Sequence, residues 1–244
     1  MNKTMTFHMT LRDAKPKVWR KVKVFENMSV ADFAYIVLTV FEMKASHLLK
    51  VTVPVGQMQV ERYKELVGDA YDEKAFLKEH PDLPSIRYRY ELLDIIDDVP
   101  RRENDIVFNI RESNLTHAVS KVGEKMDLWY DFGDDWYVDI ELTELSEEED
   151  DILLPKVIDG AGFGMLEDCG GIWMLNDIVK AYKTKKSRLY KDMSEWLGMD
   201  DFDFSSFDVS EMNERLQVVP AIFKRSYEER KVPTDAEIRY IDRE

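Results

Sequence analysis

The most constraining feature of the sequence is a pair of β-rich segments joined by a short polar connection. The segments cover residues 126–132 and 136–142, and Gly133 and Asp134 lie between them. A Gly-Asp pair in this position favours a two-residue primed turn, because glycine adopts a positive φ without steric cost. The sequence therefore predicts a β-hairpin, and with it a fold that contains an antiparallel sheet.

The spacing of apolar residues predicts further strands and helices around this hairpin. The predicted strands cover residues 6–11, 18–25 and 47–53, and the predicted helices begin after Ser29, Ser187 and Asp208. A serine or aspartate marks a helix start because its side chain accepts a hydrogen bond from a backbone N–H of the first turn. We therefore expect an α+β fold, in which a mixed, largely antiparallel sheet with β-hairpins is covered by helices.

The chain length of 244 residues fits one large domain with a short extension. We predict a single domain over residues 1–220 and a charged, peripheral extension over residues 221–244. Residues 56–105 carry weaker patterns, which indicate a helix over residues 71–79 and a strand over residues 87–92, and the region is interpreted as variable or as an insertion. The acidic run 144–151 is interpreted as a solvated loop, and the glycine-rich stretch 158–171 as an irregular segment.

The charge of the chain disfavours one class of partner. The formal net charge is −15, with 49 acidic and 34 basic residues, and a field of that sign repels nucleic-acid phosphates. A local basic strip is still compatible with this charge, and its candidate residues are Lys15, Lys17, Arg20, Lys21 and Lys23. We expect a protein partner rather than a nucleic acid.

Cys169 is the only cysteine, so an intramolecular disulfide and a zinc site made of cysteines are excluded. Because no histidine lies near it in the sequence, we interpret it as a buried, unreactive thiol. The first residues contain no apolar run of signal-peptide length, and no stretch approaches the ~20 apolar residues that cross a bilayer. We expect a cytoplasmic protein with no membrane partner.

Five residues are candidates for a catalytic site: His47, Asp131, Asp134, Glu167 and Asp168. His47 and the three aspartates are also candidate metal ligands. Carboxylates hold Mg²⁺ or Mn²⁺, and a histidine beside them would serve as the base of a metal-assisted hydrolase. The structural alternative is that the aspartates bond the local backbone in turns and that His47 bonds a carboxylate or a carbonyl.

Several motifs resemble those of the plasmid pRiA4b ORF-3-like family. They are Lys15-Pro16, Val18-Trp19-Arg20-Lys21, Ser46-His47-Leu48, Tyr130-Asp131-Phe132-Gly133-Asp134-Asp135-Trp136, Glu167-Asp168-Cys169-Gly170-Gly171 and residues 203–216. They follow the order expected for the family, and residues 56–105 fall outside the resemblance. The resemblance implies an α+β fold and an association with plasmids and insertion elements, and the family has no assigned biochemical activity. Many members carry a second cysteine where this chain has Gly164, so a paired-cysteine role is excluded.

Three hypotheses about function follow. The first is a non-enzymatic interaction or accessory protein associated with mobile elements, for which no cofactor is predicted. The second is a metal-assisted hydrolytic enzyme, with a divalent cation at the histidine and carboxylates. The third is a nucleic-acid-binding protein that uses the basic strip. Convergence of the five candidate side chains in one pocket is the observation that favours the second hypothesis.

Overall fold

The structure is a computed structural model that describes residues 2–94, 101–148 and 152–243. Within these ranges one sheet contains β1 (Asn2–Leu11), β2 (Trp19–Phe25), β3 (Leu49–Val53), β4 (Arg87–Glu91), β5 (Asp105–Asn109), β6 (Lys125–Tyr130), β7 (Trp136–Glu148) and β8 (Lys156–Ala161). The strand order is β5-β4-β3-β6-β7-β1-β2-β8. The β4–β5 pair is parallel, and the other pairs are antiparallel. The predicted α+β class with a mixed, largely antiparallel sheet is therefore confirmed.

The α-helices among the described residues are α1 (Val30–Val40), α2 (Val55–Val67), α3 (Glu73–Glu79), α4 (Leu115–Ala118), α5 (Gly171–Thr184), α6 (Arg188–Leu197), α7 (Val209–Leu216), α8 (Val219–Glu229) and α9 (Asp235–Asp242). Ser29, Ser187 and Asp208 cap α1, α6 and α7 with their side chains, as predicted. In the part of the chain that the structure describes, no helix combines the length and the apolar character needed to cross a bilayer.

The core lies between the sheet and the layer of helices around α1. Alternate residues of β1, β6 and β7 are buried, and Phe7 of β1 packs on Phe33 of α1 with their ring centroids 4.6 Å apart. Helices α7 and α8 pack against α1 in the same layer. Each fully buried apolar side chain contributes about 1.5–3 kcal/mol, so this face of the sheet dominates the stability. The other residues of the central strands line an open cleft.

The β6–β7 hairpin is present, but the prediction of a two-residue primed turn was wrong. Tyr130 pairs with Trp136, so five residues form the connection. The residues with positive φ are Asp131 (52°) and Asp135 (57°), and Gly133 is not among them. The turn is closed by the Asp135 N–H, which donates to the Asp131 carbonyl at 2.8 Å, and by the Gly133 N–H, which donates to Asp131 Oδ1 at 3.0 Å. Aspartate tolerates this conformation because its side chain bonds the local backbone.

Two segments that we interpreted as loops are partly strands. The acidic run is paired through residue 148, because β1 extends to Asn2 and offers β7 a partner along its length. Residues 149–151 of that run lie outside the described residues. Within the glycine-rich stretch, residues 158–161 belong to β8, which pairs with β2.

Residues 56–105, predicted as a variable region or an insertion, and residues 221–244, predicted as an extension, both contribute packed elements. Residues 56–105 include β4, an internal strand of the sheet, and β5 begins at its end. Helix α8 spans the predicted domain boundary at residue 220 and buries Ile222, Phe223 and Tyr227 in the core. The boundary therefore falls inside a packed helix.

Candidate functional site

Two candidate residues meet because β3 and β6 are antiparallel neighbours. Leu49 pairs with Tyr130, so the residues just before β3 lie opposite the residues just after β6. The Asp131 N–H extends this pairing by donating to the Leu48 carbonyl at 3.0 Å. The backbone carbonyl of His47 accepts a hydrogen bond from the Tyr227 hydroxyl of α8. The end of the sheet thus places His47 beside Asp131.

The loop before α5 brings in the other two residues of the cluster, Glu167 and Asp168. The Met165 N–H donates to the Phe41 carbonyl at 3.0 Å and fixes the loop against the end of α1. Asp168 has a φ of 57°, a left-handed conformation that an L-residue adopts at a cost of about 1–2 kcal/mol. The loop is therefore held in a conformation that points these two side chains toward the sheet end.

Asp134 has a separate role. Its Oδ2 accepts hydrogen bonds from the N–H groups of Gly170 and Gly171, each at 3.1 Å. These groups lie at the N-terminus of α5, where backbone N–H donors have no partner within the helix. Asp134 therefore joins the hairpin to α5 instead of facing His47. A Cβ on Gly171 would lie 2.5 Å from the Asp134 carbonyl oxygen, so a side chain there is excluded by this close approach.

Three carboxylates surround a single imidazole nitrogen. His47 Nε2 lies 3.3 Å from Asp168 Oδ1, 3.5 Å from Glu167 Oε1 and 3.6 Å from Asp131 Oδ2. The Glu167 side chain is 6% exposed and that of Asp168 is 72% exposed, so the cluster opens to solvent on the Asp168 side. We call His47, Asp131, Glu167 and Asp168 the His47 cluster.

Glu167 is the most fully hydrogen-bonded member of the cluster. Its Oε1 accepts from the Ser46 hydroxyl at 2.5 Å and from the Tyr130 hydroxyl, and its Oε2 accepts from the Lys44 N–H at 3.2 Å. Burial, followed by the Glu167 charge, raises the pKa of Tyr130 above its usual value, so this phenol keeps its proton and donates. Glu167 is therefore fixed by its neighbours, and it orders the loop that carries Asp168.

Three members of the cluster bring potential ligand atoms close together. The ligand atoms of His47, Asp131 and Asp168 all lie within 4.8 Å of one another. In a tetrahedral site with bonds of about 2.0–2.2 Å, adjacent ligand atoms lie about 3.3–3.6 Å apart. Asp131 Oδ1 is occupied by the Gly133 N–H, which leaves Oδ2 directed toward His47. The two separations between His47 and these aspartates, 3.6 Å and 3.3 Å, agree with this range.

Cys169 follows the cluster in sequence and does not have the environment of a nucleophile. Its thiol lies 3.8 Å from the Gly171 carbonyl oxygen. Burial, followed by the nearby charge of Asp134, raises the pKa of the Cys169 thiol to about 12. Because the thiolate is the reactive form, the thiol is inert at neutral pH.

The basic strip is interrupted at its centre. Arg20 is fully buried, and its guanidinium donates at 2.7–2.9 Å to the backbone carbonyls of Trp19, Val40, Ala161, Gly162 and Phe163. The side chains of Lys15 and Lys17 are exposed, and Lys23 pairs with Glu148. Lysines alone therefore form the accessible part of the strip.

Sequence reasoning missed Ser46 and Tyr130, which hold Glu167. Tyr130 stands next to Asp131 in the hairpin motif, but alternation along β6 assigns it to the core, where its hydroxyl is not expected to reach a site.

Sequence reasoning also missed the open cleft on the sheet. The signal was present in Lys50, Arg87 and Arg89, which are charged residues at alternating positions of predicted strands.

Comparison with known proteins gives a family and a fold. The family model described as plasmid pRiA4b ORF-3-like protein matches residues 3–211, which include the whole His47 cluster. The uncharacterized protein y4hQ of Sinorhizobium fredii is 26% identical over 142 residues, covering 57% of this chain and 72% of that protein. The crystal structure of MM3350 from Methanosarcina mazei Go1, a protein of unknown function, is similar with a TM-score of 0.64. It is 19% identical, and the match covers 86% of this chain and 98% of MM3350, so it shows the fold alone.

Proposed function

The chain belongs to the plasmid pRiA4b ORF-3-like family, and we propose that this member binds a divalent metal ion at His47, Asp131 and Asp168 and uses it in hydrolysis. One observation carries the proposal. Oxygens of Asp131 and Asp168 lie 3.6 Å and 3.3 Å from the same imidazole nitrogen, and the three potential ligand atoms lie within 4.8 Å of one another. The proposal rests on this geometry, because the relatives are uncharacterised.

The charge of the cluster favours a dication over a protonated histidine. Three carboxylates carry more negative charge than one imidazolium can balance. Asp131 and Glu167 are largely buried, and repulsion between carboxylates is stronger where water is excluded. A divalent ion in contact with two carboxylates and the imidazole would remove most of this repulsion.

The donor set indicates which metals fit. Imidazole suits Zn²⁺ and other transition metals, carboxylates suit Mg²⁺, Ca²⁺ and Mn²⁺, and a mixed set suits Mn²⁺ or Zn²⁺. In this arrangement His47 is a ligand and not a free base. Glu167 already accepts three hydrogen bonds, so we assign it a positioning role. Three protein ligands and a solvent-open side are typical of catalytic metal sites, where the ion lowers the pKa of a bound water.

Metal binding is tested by calorimetric titration of the metal-stripped protein with Mn²⁺, Zn²⁺ and Mg²⁺. We expect Asp168→Asn to weaken Mn²⁺ and Zn²⁺ binding by more than about tenfold, since changes even in the outer shell of a metal site have effects of about 10–100-fold. The matched control is Asp135→Asn. Asp135 is also exposed and has the same φ of 57°, but it lies outside the cluster. Equal affinity of the two variants, or no binding by the wild type, would refute the metal site.

Hydrolysis is tested separately with chromogenic carboxylate and phosphate esters. We expect turnover that requires Mn²⁺ or Zn²⁺, that is lost in Asp168→Asn and that is retained in Asp135→Asn. A protein that binds metal but hydrolyses none of these ester classes would contradict the enzymatic part of the proposal and leave the metal site standing.

A second candidate function is protein interaction in association with mobile elements. It is favoured by Trp173 of α5 and Trp196 of α6, whose side chains are exposed. Exposed tryptophans support this candidate because tryptophan is enriched in protein interfaces. Trp173→Ala should then reduce recovery of a specific partner in pull-downs from the host without changing the melting temperature. Recovery of the same proteins by both forms would contradict this candidate. The cytoplasmic location and the mobile-element association stay predictions.

A further inference from the structure

An open cleft of about 430 Å³ lies on the face of the sheet opposite the helices of the core. Its size falls within the range of about 300–1,000 Å³ that is typical of small-molecule sites. Six cationic side chains of the described residues line it, against one carboxylate, Asp127; they are Arg12, Lys50, Arg87, Arg89, Arg101 and Arg102. Such a concentration of positive charge is unexpected in a chain with a net charge of −15.

Most of these cations are held by carboxylates at the margin of the cleft. Arg12 Nε donates to Asp139 at 3.0 Å, and Arg87 and Arg89 both donate to Asp105. These pairs fix the directions of the guanidinium groups, and a guanidinium has five N–H donors, so Arg12 and Arg87 keep donors that these bonds do not use. The arginines therefore form an ordered wall around the cleft.

Lys50 differs from the arginines. The residue is only 7% exposed, and its ammonium lies 3.9 Å above the centre of the Trp129 ring. Among the described residues, no carboxylate or hydrogen-bond acceptor pairs with this ammonium. A buried charge is costly unless it is paired, and a ring face compensates only part of the lost hydration. Lys50 is thus a buried cation that no carboxylate contacts directly, and it lies in the wall of a cleft.

The floor beneath Lys50 is rigid because of strand pairing. Lys50 pairs with Trp129 across β3 and β6, and Trp129 pairs with Tyr137 across β6 and β7. The Trp129 and Tyr137 rings stack with their centroids 5.3 Å apart, and the Arg12 guanidinium lies 4.5 Å from the Tyr137 centroid. The stacked pair of rings therefore contacts two cations, Lys50 over Trp129 and Arg12 over Tyr137.

We infer that this cleft binds a small organic phosphate, with the phosphate group paired to Lys50 and to the neighbouring guanidinium groups. Guanidinium forks and an ammonium are the groups that recognise phosphate oxygens. The volume exceeds that of a bare ion, which leaves room for an organic group along Trp129 and Tyr137. The acidic charge of the whole molecule favours a small ligand over a polyanion. This site is separate from the His47 cluster and does not depend on its metal.

The test is a calorimetric titration of the wild-type chain with adenosine 5′-monophosphate, ribose 5-phosphate, inorganic phosphate, adenosine and a short single-stranded oligonucleotide. We expect both organic phosphates to bind and adenosine not to bind. Lys50→Gln should weaken the binding of the organic phosphates at least tenfold. Because the substitution removes a buried unpaired charge, the melting temperature should be unchanged or higher, which separates loss of binding from loss of folding.

The matched control is Lys21→Gln, which removes a lysine of β2 from the same face of the sheet but outside the cleft. Unchanged affinity in Lys21→Gln and in Asp168→Asn would support the proposal and show that it is independent of the metal site. Four results would overturn it: no organic phosphate binds at millimolar concentration, Lys50→Gln binds as the wild type does, adenosine binds as well as its monophosphate, or the oligonucleotide binds more tightly than the mononucleotide.

Discussion

The buried guanidinium of Arg20 connects β2, α1, β8 and the loop after β8. Its guanidinium donates to five backbone carbonyls, two of which belong to the loop after β8. Lysine has three donors on a single atom and cannot reach all five acceptors. We expect Arg20→Lys to lower the free energy of unfolding by about 2–4 kcal/mol, as measured by urea denaturation. Lys21→Gln should change it by less than about 0.5 kcal/mol, and equal midpoints for the two variants would contradict this role.

The position of Arg20 was partly readable from the sequence. Alternation places it on the same face of β2 as Val22 and Val24, and that face is buried in the structure. Its membership of a basic strip was suggested by the lysines on either side of it, which lie on the other face. Side-chain direction was therefore predictable, but the carbonyls that compensate the charge come from α1 and from the β8 loop, which only the tertiary structure brings together.

Cys169 gives a prediction about reactivity. With its pKa raised to about 12 by burial and by the charge of Asp134, the thiolate is a minor form at pH 8. We expect the folded protein to react with iodoacetamide at pH 8 more than about 100-fold slower than free cysteine, whose pKa is about 8.5. The rate should recover when the protein is unfolded in urea. A folded protein that reacts as fast as free cysteine would show that the thiol is exposed and activated.

At the scale of elements, substitutions in the β6–β7 connection distinguish a two-residue primed turn from the observed five-residue connection. A two-residue primed turn would require glycine at position 133, whereas the observed five-residue connection places positive φ at Asp131 and Asp135. We expect Gly133→Ala to be tolerated and Asp135→Val to lower the free energy of unfolding by about 1–2 kcal/mol, because a β-branched residue is strained in the left-handed region. Thermal unfolding of the two variants measures the difference. A Cβ on Gly133 would lie 3.3 Å from Asp131 Oδ1, so a small loss is expected there, and a loss as large as that of Asp135→Val would contradict this assignment.

The strands that sequence reasoning missed are β5 and β8, which are the two edges of the sheet. An edge strand has one neighbour and is only partly covered, so its apolar alternation is weak. Strand β8 also contains Gly160, and a glycine in a sequence is typical of a loop. In the structure the glycine is explained by packing, because a Cβ there would lie 2.6 Å from the Phe207 ring. The internal strands and the capped helices were predictable because burial on one face imposes a strict period on them.

At the scale of the whole molecule, the two proposed sites lie at neighbouring parts of the same strands but have opposite charge. The His47 cluster collects carboxylates at the end of β3 and β6, and the cleft collects cations on their open face. Sequence reasoning identified the residues of the first site because they stand in compact motifs. It missed the second because Arg12, Lys50 and Arg87 are far apart in the chain and meet only through the order of the strands.

The contacts of the C-terminal segment, residues 231–243, show how far the folded unit extends. Glu42, a buried residue with a positive φ of 62°, accepts from Arg243 Nη2 at 2.5 Å and from Arg215 Nη2 at 3.4 Å. Arg215 also donates to the Tyr240 carbonyl at 2.8 Å, so α9 satisfies two buried groups. Composition alone describes residues 221–244 as a charged extension, whereas these contacts make their end part of the core.

Deletion of residues 231–244 tests this point and separates stability from the site. It removes Arg243 from Glu42 and the α9 carbonyls from Arg215, and breaking a buried ion pair on one side costs about 3–5 kcal/mol. The unfolding midpoint in urea should fall accordingly. Metal binding below that midpoint should persist, because α8 retains Tyr227, whose hydroxyl donates to the His47 carbonyl. An unchanged midpoint would show that the segment is a peripheral extension, and loss of metal binding in a folded truncated chain would show that α9 also supports the His47 cluster.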